Sequence, residues 1–168
     1  NETLGGISKE DRKILRQAVK ESNELFYAAR ERKYAVMPTL VKLQDNYMES
    51  GNTSVQVVDY MSEVTKALVH ITRPAFEHIN NNHDPLSDQQ IEDLMHINRE
   101  VAHIFDRINV MLRSNDFEDI EQVLRLRDKL FVEMDEAQKR QLKRIKSKST
   151  STKASQLYLN ILSETKTM

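Results

Sequence analysis

Histidines, amides and carboxylates are concentrated in one stretch of this chain, VHITRPAFEHINNNHDPLSDQQ at positions 69–90. The stretch contains three of the five histidines, two of the three prolines and a run of three asparagines. Imidazole and carboxylate groups at this density could bind a metal ion or act in acid–base catalysis. However, His78 and His83 are five positions apart, which is poor spacing for two ligands on one face of a helix.

The same positions also suit the end of a helix followed by a turn. Asparagine tolerates the left-handed conformation that ends many helices, and a histidine there can face the negative end of the helix dipole. Asp84 and Pro85 then favour a turn. We therefore expect a structural turn formed by His78, Asn81, Asn82 and His83. Within it, the side chain expected to be packed and hydrogen-bonded is that of His83.

A second set of potential metal ligands comprises Glu92, His96, Glu100 and His103, and its last two members match the Glu-x-x-His element of di-iron bundles. Such a site needs a second Glu-x-x-His on another helix, and the sequence contains none. On a helical wheel the four side chains fall about 110° to 170° from the centre of the apolar stripe. The pattern therefore predicts a solvated face, and a metal-binding bundle is the alternative.

Signatures of other catalytic chemistry are absent from the sequence. There is no cysteine, so disulfides, thiolate metal sites and cysteine nucleophiles are excluded. No glycine-flanked serine elbow, P-loop or dinucleotide-binding fingerprint occurs. Carboxylate pairs such as Asp59 and Glu63 are expected by chance in a helical chain with 26 acidic residues. We therefore expect no catalytic residue, no metal ligand and no cofactor.

A basic run without any acidic residue extends over positions 139–153. Its seven cations are Lys139, Arg140, Lys143, Arg144, Lys146, Lys148 and Lys153. Cations at a helix C-terminus followed by a polar linker explain the run in structural terms. In functional terms, the run could contact phosphate, phospholipid headgroups or an acidic partner. It contains no aromatic residue for base stacking, so we expect no nucleic-acid partner.

The composition indicates that helices position these side chains. Only three glycines occur, far fewer than an all-β or nucleotide-binding α/β fold needs. A length of 168 residues suits one domain, and a net charge of −1 gives no global attraction to nucleic acid or anionic lipid. No apolar run approaches the roughly 20 residues of a bilayer span. The chain begins at Asn1 rather than at a methionine, as expected of a piece of a longer protein whose membrane segment lies elsewhere.

Apolar periodicity and turn residues predict the first long element. Residues 1–7 have no apolar periodicity and predict a linker, and a helical pattern begins at Ser8. Pro38 predicts a kink or a break near residues 34–38, because proline removes one hydrogen bond and clashes with the preceding turn. The segment 49–52 is expected to close this element.

Capping signals predict where two further helices begin. Thr53 with Gln56 matches a capping box, and the helix it starts contains Pro74, which should bend it and free the carbonyl of His70. Ser87 with Gln90 makes another capping box, and the flanking apolar pair Leu86 and Ile91 fits a hydrophobic staple.

The rest of the chain predicts a turn at residues 114–116, a long fourth helix, a polar stretch at 147–155 and a last amphipathic helix. Long helices joined by short turns predict an all-α, up-and-down bundle. We expect a single domain over residues 8–168, with a main unit at about 8–114 and the long and terminal helices at 115–168.

Two segments of this chain resemble a known family. HINNNHDPLSDQQ (78–90) resembles the turn between helices in PhoU-like domains, and the most similar variety is attached to bacterial sodium/phosphate cotransporters. SQLYLNILSETK (155–166) is similar to the serine–tyrosine–leucine helix that ends such domains, and residues 128–145 follow the family's long charged helix. The resemblance covers most of residues 37–168 and implies a bundle built from three-helix PhoU units beside a phosphate transport system.

Many PhoU proteins bind metal clusters through an acid, three spacer residues and an aspartate on the last helix of each unit. This sequence departs from that pattern. No acid pairs with an aspartate four residues on within 98–106, and Glu164 is followed four positions later by Met168. The resemblance therefore carries over no metal ligand.

The resemblance implies a non-catalytic regulatory or scaffolding domain of a sodium-dependent phosphate transporter, at the cytoplasmic face of the bacterial inner membrane. The expected partners are the membrane part of that transporter or a second copy of this chain. The basic run is expected to contact phosphate or anionic lipid headgroups. The alternatives are a metal-binding helical bundle and an unrelated protein-interaction module.

Overall fold

The computed structural model describes residues 2–46 and 48–168, with side-chain environments for all of these except 43–54. Over the described residues the chain forms six α-helices and no strand. The helices are α1 (Glu2–Ser8), α2 (Arg12–Asn46), α3 (Met48–Asn80), α4 (Asp88–Ser114), α5 (Ile120–Lys146) and α6 (Thr152–Thr167). The predicted all-α helical bundle is therefore confirmed.

The first helix replaces the linker predicted at residues 1–7, and this prediction is wrong. Leu4 and Ile7 of α1 are buried and pack in the main core with Leu15 of α2. A Cβ atom on Gly6 would lie 2.8 Å from the Cγ of Leu15, so glycine permits this close approach of the two helices. Gly6 therefore supports the packing of α1 against α2, whereas a Cβ atom on Gly5 would meet no atom within 4 Å.

The second helix differs from the prediction in its start and in its continuity. It begins at Arg12 rather than at Ser8, and the Asp11 carboxylate accepts hydrogen bonds from the main-chain N–H groups of Lys13 and Ile14. α2 continues through Pro38 to Asn46, so no break occurs near residues 34–38, and the kink that was the other possibility stays a prediction. The helix is exposed here, so water can satisfy the carbonyl that a proline leaves without its helical partner.

The third helix begins at Met48, so the predicted turn at 49–52 and the predicted helix start at Thr53 are both wrong. The side chain of Thr53 lies outside the described side chains. Pro74 lies within α3, and the carbonyl four residues before it, that of His70, accepts a hydrogen bond of 2.9 Å from the Asn160 amide of α6. The freed carbonyl predicted from Pro74 is thus used to attach α6.

The fourth helix begins where the sequence predicted. The Ser87 hydroxyl accepts from the Gln90 N–H, and the Gln90 side chain accepts from the Ser87 N–H, which completes the capping box. Leu86 is buried and Ile91 is half-buried, as the predicted staple requires. At the other end Asn115 adopts the left-handed conformation with φ of 53°, which confirms the turn predicted at 114–116.

The last two helices close the core. α5 follows the predicted long helix, and α6 begins at Thr152 with Ser151 as its N-cap, so the polar linker is shorter than the predicted 147–155. Within the described chain α6 packs against α3, α4 and α5. Its core side chains are Ala154, Leu157, Tyr158, Ile161 and Leu162.

A long hairpin of α2 and α3 extends past the rest of the bundle. With 33 residues, α3 is about 50 Å long, whereas α6 with 16 residues is about 24 Å long. Among the described helices α2 contacts only α1 and α3. None of the described helices combines the length and the apolar character that crossing a membrane requires.

Candidate functional site

The seven cations of the basic run lie on α5, in the α5–α6 loop and on α6, and the structure divides them into two groups. Arg140 and Arg144 turn toward α4 and bind Asp93. Arg140 Nη2 lies 2.8 Å from Asp93 Oδ1, and Arg144 Nη2 lies 3.0 Å from Asp93 Oδ2. The run is therefore not one continuous anion-binding surface, because two of its members neutralise a carboxylate of the same chain.

Asp93 is the centre of a polar cluster that joins α4, α5 and α6. The Tyr158 hydroxyl donates a hydrogen bond of 3.0 Å to Asp93 Oδ2, and the guanidinium of Arg144 lies 5.7 Å from the centre of the Tyr158 ring. The side chains of Asp93 and Arg144 are only 16% and 14% exposed. The arrangement holds three helices together through one shared carboxylate.

The environment of this cluster sets its protonation. Burial acts to raise the pKa of Asp93, but the hydrogen bonds from Arg140, Arg144 and Tyr158 outweigh burial and hold that pKa below its usual value. Burial, together with the charge of Asp93, raises the pKa of the Tyr158 hydroxyl to about 12. The pair is therefore a carboxylate and a neutral phenol at neutral pH, which suits a structural clamp better than acid–base catalysis.

A buried amide network lies beside this cluster. Gln90 and Gln141 are fully buried, and Gln90 Nε2 donates to Gln141 Oε1 over 3.0 Å. Gln141 Nε2 in turn donates to the Ser155 hydroxyl over 3.1 Å. The sequence predicted Gln90 only as a capping residue, and neither the buried network of Gln90, Gln141 and Ser155 nor the role of Asp93 was predicted. The burial of Gln141 could have been predicted, because it continues the helical spacing of the apolar residues Leu130, Met134 and Ala137 along α5.

The five lysines of the run form the second group and point outward. Lys139, Lys143, Lys146, Lys148 and Lys153 are all exposed. Among the described side chains, those of residues 2–42 and 55–168, no carboxylate forms a salt bridge with any of them. These lysines are therefore the part of the run that can bind an external anion.

The turn after α3 has the predicted form but a different hydrogen-bonded histidine. Asn82 adopts the left-handed conformation with φ of 53°, and its side chain accepts a hydrogen bond from Arg12. His78 is buried and its Nε2 donates to the Asp84 carbonyl over 2.8 Å. His83 is only half-buried and contributes its main-chain N–H to the His78 carbonyl. The packed, hydrogen-bonded role predicted for His83 is thus filled by His78.

An open cavity of about 440 Å³ lies between this turn and α6. Its lining residues are Pro74, Glu77, His78, Asn81, His83, Lys153, Gln156, Leu157 and Asn160. The rings of His78 and His83 are 5.3 Å apart, and Lys153 approaches them from the first turn of α6. Residues from the turn and from the basic run, which lie 70 to 75 positions apart in sequence, therefore contribute to one site.

The four potential ligands on α4 face away from the core. Glu92, His96 and His103 are exposed and Glu100 is half-buried, as the helical wheel predicted. His96 Nε2 lies 3.0 Å from Glu133 Oε2 of α5. Across the described chain no group of three histidine or carboxylate side chains has the geometry to hold a metal ion.

A stripe of apolar side chains on α3 lies uncovered beyond the end of α6. We call Val57, Tyr60, Met61 and Val64 the α3 stripe. The first three are 45%, 66% and 50% exposed. They continue the helix face that carries Ile71 and Ala75, which pack in the core.

The stripe begins where α6 ends because α6 runs antiparallel to α3. The amide of Asn160 contacts the carbonyl of His70, and Glu164 lies 3.4 Å from the His70 imidazole. Met168, the last residue, then lines a small cavity with Leu68 of α3. Beyond Leu68, on the same face of α3, Val57, Tyr60 and Met61 are exposed.

Comparison of the chain with protein-family models, with curated proteins and with solved structures finds no match.

Proposed function

We propose that this chain is a non-catalytic helical docking module that regulates or scaffolds a sodium-dependent phosphate transporter. The resemblance of residues 78–90 and 155–166 to PhoU-like domains supports the transporter part of the proposal. The docking part is supported by the α3 stripe, which is the single observation that carries the proposal. The cytoplasmic membrane face is the location that the resemblance implies.

Docking through the α3 stripe follows from the side chains it presents. Tyr60 and Met61 combine large apolar area with adaptable shape, and residues of these types are enriched at protein interfaces. On the neighbouring helix, Tyr27 and Tyr34 are 58% and 65% exposed and lie seven positions apart, on one face of α2. A helix of the partner that lies along α3 would continue the line of α6 and bury the stripe.

The test is co-purification of the chain with the membrane part of a sodium/phosphate cotransporter, together with sodium-dependent phosphate uptake. We expect stable co-purification and a changed uptake rate when the chain is present. Met61→Glu should weaken the complex by at least about ten-fold, because it places a charge in an apolar contact. Gln138→Glu, an equivalent change at an exposed position on α5, should leave it intact.

Three outcomes separate the candidate partners. Loss of the complex in Met61→Glu but not in Gln138→Glu supports docking through the stripe. A homodimer that Met61→Glu dissociates, without any binding to the transporter, would assign the stripe to a second copy and refute the transporter partner. The absence of co-purification, of an effect on uptake and of self-association would refute the docking proposal as a whole.

A further inference from the structure

The cavity between the turn and α6 brings together three side chains that can carry positive charge. Lys153 comes from α6, His78 from the last turn of α3 and His83 from the α3–α4 loop. Lys153 has no salt-bridge partner within the described part of the chain, and Glu77 is the one carboxylate that lines the cavity. An anion in the cavity would therefore pair with the Lys153 ammonium.

The pKa of His78 responds to the charges of His83 and Lys153, so the three side chains interact. Burial is the main reason why the pKa of His78 is lowered, and the neighbouring His83 and Lys153 lower it further. The hydrogen bond to the Asp84 carbonyl and the charge of the Asp84 carboxylate act in the opposite direction. Because a carbonyl oxygen can only accept, His78 Nε2 carries the proton of that bond. Its Nδ1 is therefore the unprotonated nitrogen of the neutral ring.

The rest of the lining can donate hydrogen bonds to an oxyanion. The side-chain amides of Asn81 and Gln156 are exposed at the cavity, and each provides two N–H donors. Asn160 differs, since its amide nitrogen already donates to the carbonyl of His70. The volume of about 440 Å³ is within the range of small-molecule sites and leaves room for hydrating water around a small anion.

We propose that this cavity binds a phosphate-type oxyanion, with Lys153 supplying positive charge and Asn81 and Gln156 donating hydrogen bonds. Glu77 opposes binding and sets the affinity, because its carboxylate repels the ligand. The site is distinct from the α3 stripe, so it does not depend on the docking function. The shared ligand chemistry is the phosphate group, either as free orthophosphate or as a phosphomonoester lipid headgroup.

The experiment is a titration of the full chain with inorganic phosphate, at constant ionic strength, monitored by amide and histidine ring NMR signals. We expect signals of His78, Asn81, His83 and Lys153 to shift together. Lys153→Gln should weaken binding about five-fold, the loss expected for one solvent-exposed contact between unit charges. Glu77→Gln should tighten binding by a similar factor. Lys20→Gln removes an exposed lysine on α2, outside both the cavity and the basic run, and should leave the affinity unchanged.

Opposite changes in affinity in Lys153→Gln and Glu77→Gln, with the affinity of Lys20→Gln unchanged, would support the site. A parallel arm uses vesicles of phosphatidylcholine with phosphatidic acid. If the binding affinity depends on Lys153 and Glu77 only for vesicles, the ligand is a lipid headgroup. If the affinity for inorganic phosphate in solution depends on them, the ligand is free phosphate. Equal losses of affinity in Lys153→Gln and Lys20→Gln, or no cavity signal that shifts in either arm, would overturn the proposal. All three variants change exposed side chains, and circular dichroism verifies that each is folded.

Discussion

The Asn160 side-chain amide donates a hydrogen bond of 2.9 Å to the main-chain carbonyl of His70. This carbonyl is four residues before Pro74, which has no N–H to offer it. The proline thus creates an acceptor on the surface of α3, and α6 supplies the donor. One pair of side-chain and main-chain groups therefore determines where α6 attaches along α3.

This relationship predicts a coupling between positions 74 and 160. Asn160→Ala should lower the free energy of unfolding by about 1 kcal/mol, the usual net worth of such a hydrogen bond. In a Pro74→Ala background the penalty should be smaller, because an alanine N–H can satisfy the His70 carbonyl within α3. Urea denaturation of the two single variants and the double variant measures the coupling. Strict additivity would contradict this account.

The two adjacent glycines of α1 should respond in opposite ways to alanine. Gly5→Ala meets no atom within 4 Å and should stabilise α1 by about 0.5–1 kcal/mol, since alanine loses less conformational entropy in a helix. Gly6→Ala places a methyl group 2.8 Å from Leu15 Cγ, and overpacking of this kind costs about 1–3 kcal/mol. Thermal unfolding of both variants measures the difference. Equal effects would show that α1 is not packed against α2 as described.

Asp93 should make stability sensitive to acid. Its folded-state pKa lies below the unfolded value of about 3.9, so its stabilising effect is present above that value and is lost as the pH falls through the folded pKa. Asp93→Asn should cost about 2–3 kcal/mol at neutral pH, because Arg144 is left without its anion. The difference in the free energy of unfolding between wild type and Asp93→Asn should become smaller below about pH 4. Urea denaturation at several pH values measures this difference, and a difference that does not change with pH would refute the ion-pair explanation.

Tyr158 should make stability sensitive to alkali. Its folded pKa of about 12 lies above the unfolded value of about 10, so the stabilisation is complete below pH 10 and is lost as the pH rises through 12. Ultraviolet titration should show a late tyrosine ionisation step near pH 12. Tyr158→Phe should abolish this late step. Its persistence in Tyr158→Phe would assign the late step to another tyrosine.

The lysines of the basic run should act separately from its arginines. Replacing Lys139, Lys143, Lys146 and Lys148 by glutamine should weaken binding to anionic vesicles at low salt, by up to about 1 kcal/mol per lysine. Stability should not change, because these side chains are exposed and outside the described salt bridges. Arg140→Gln serves as the comparison, since it should lower stability through the loss of its contact with Asp93. Unchanged vesicle binding in the lysine variant would exclude membrane contact by this surface.

The sequence by itself determined the features that depend on residues within one helical turn of each other. The capping box of Ser87 and Gln90, the left-handed Asn82 and the carbonyl freed by Pro74 could all be predicted. Each uses groups that are at most four positions apart, so the local pattern contains all the information needed. The outward face of α4 follows from helical periodicity in the same way.

Only the tertiary structure decided which groups meet across helices. Residues 1–7 resembled a linker because their packing partner, Leu15, belongs to another helix. Two arginines of the basic run became internal because Asp93 lies about fifty positions before them, and Lys153 reached His78 from 75 positions away. Such contacts depend on the packing of apolar helix faces against each other, and local spacing does not specify which polar side chains that packing brings together.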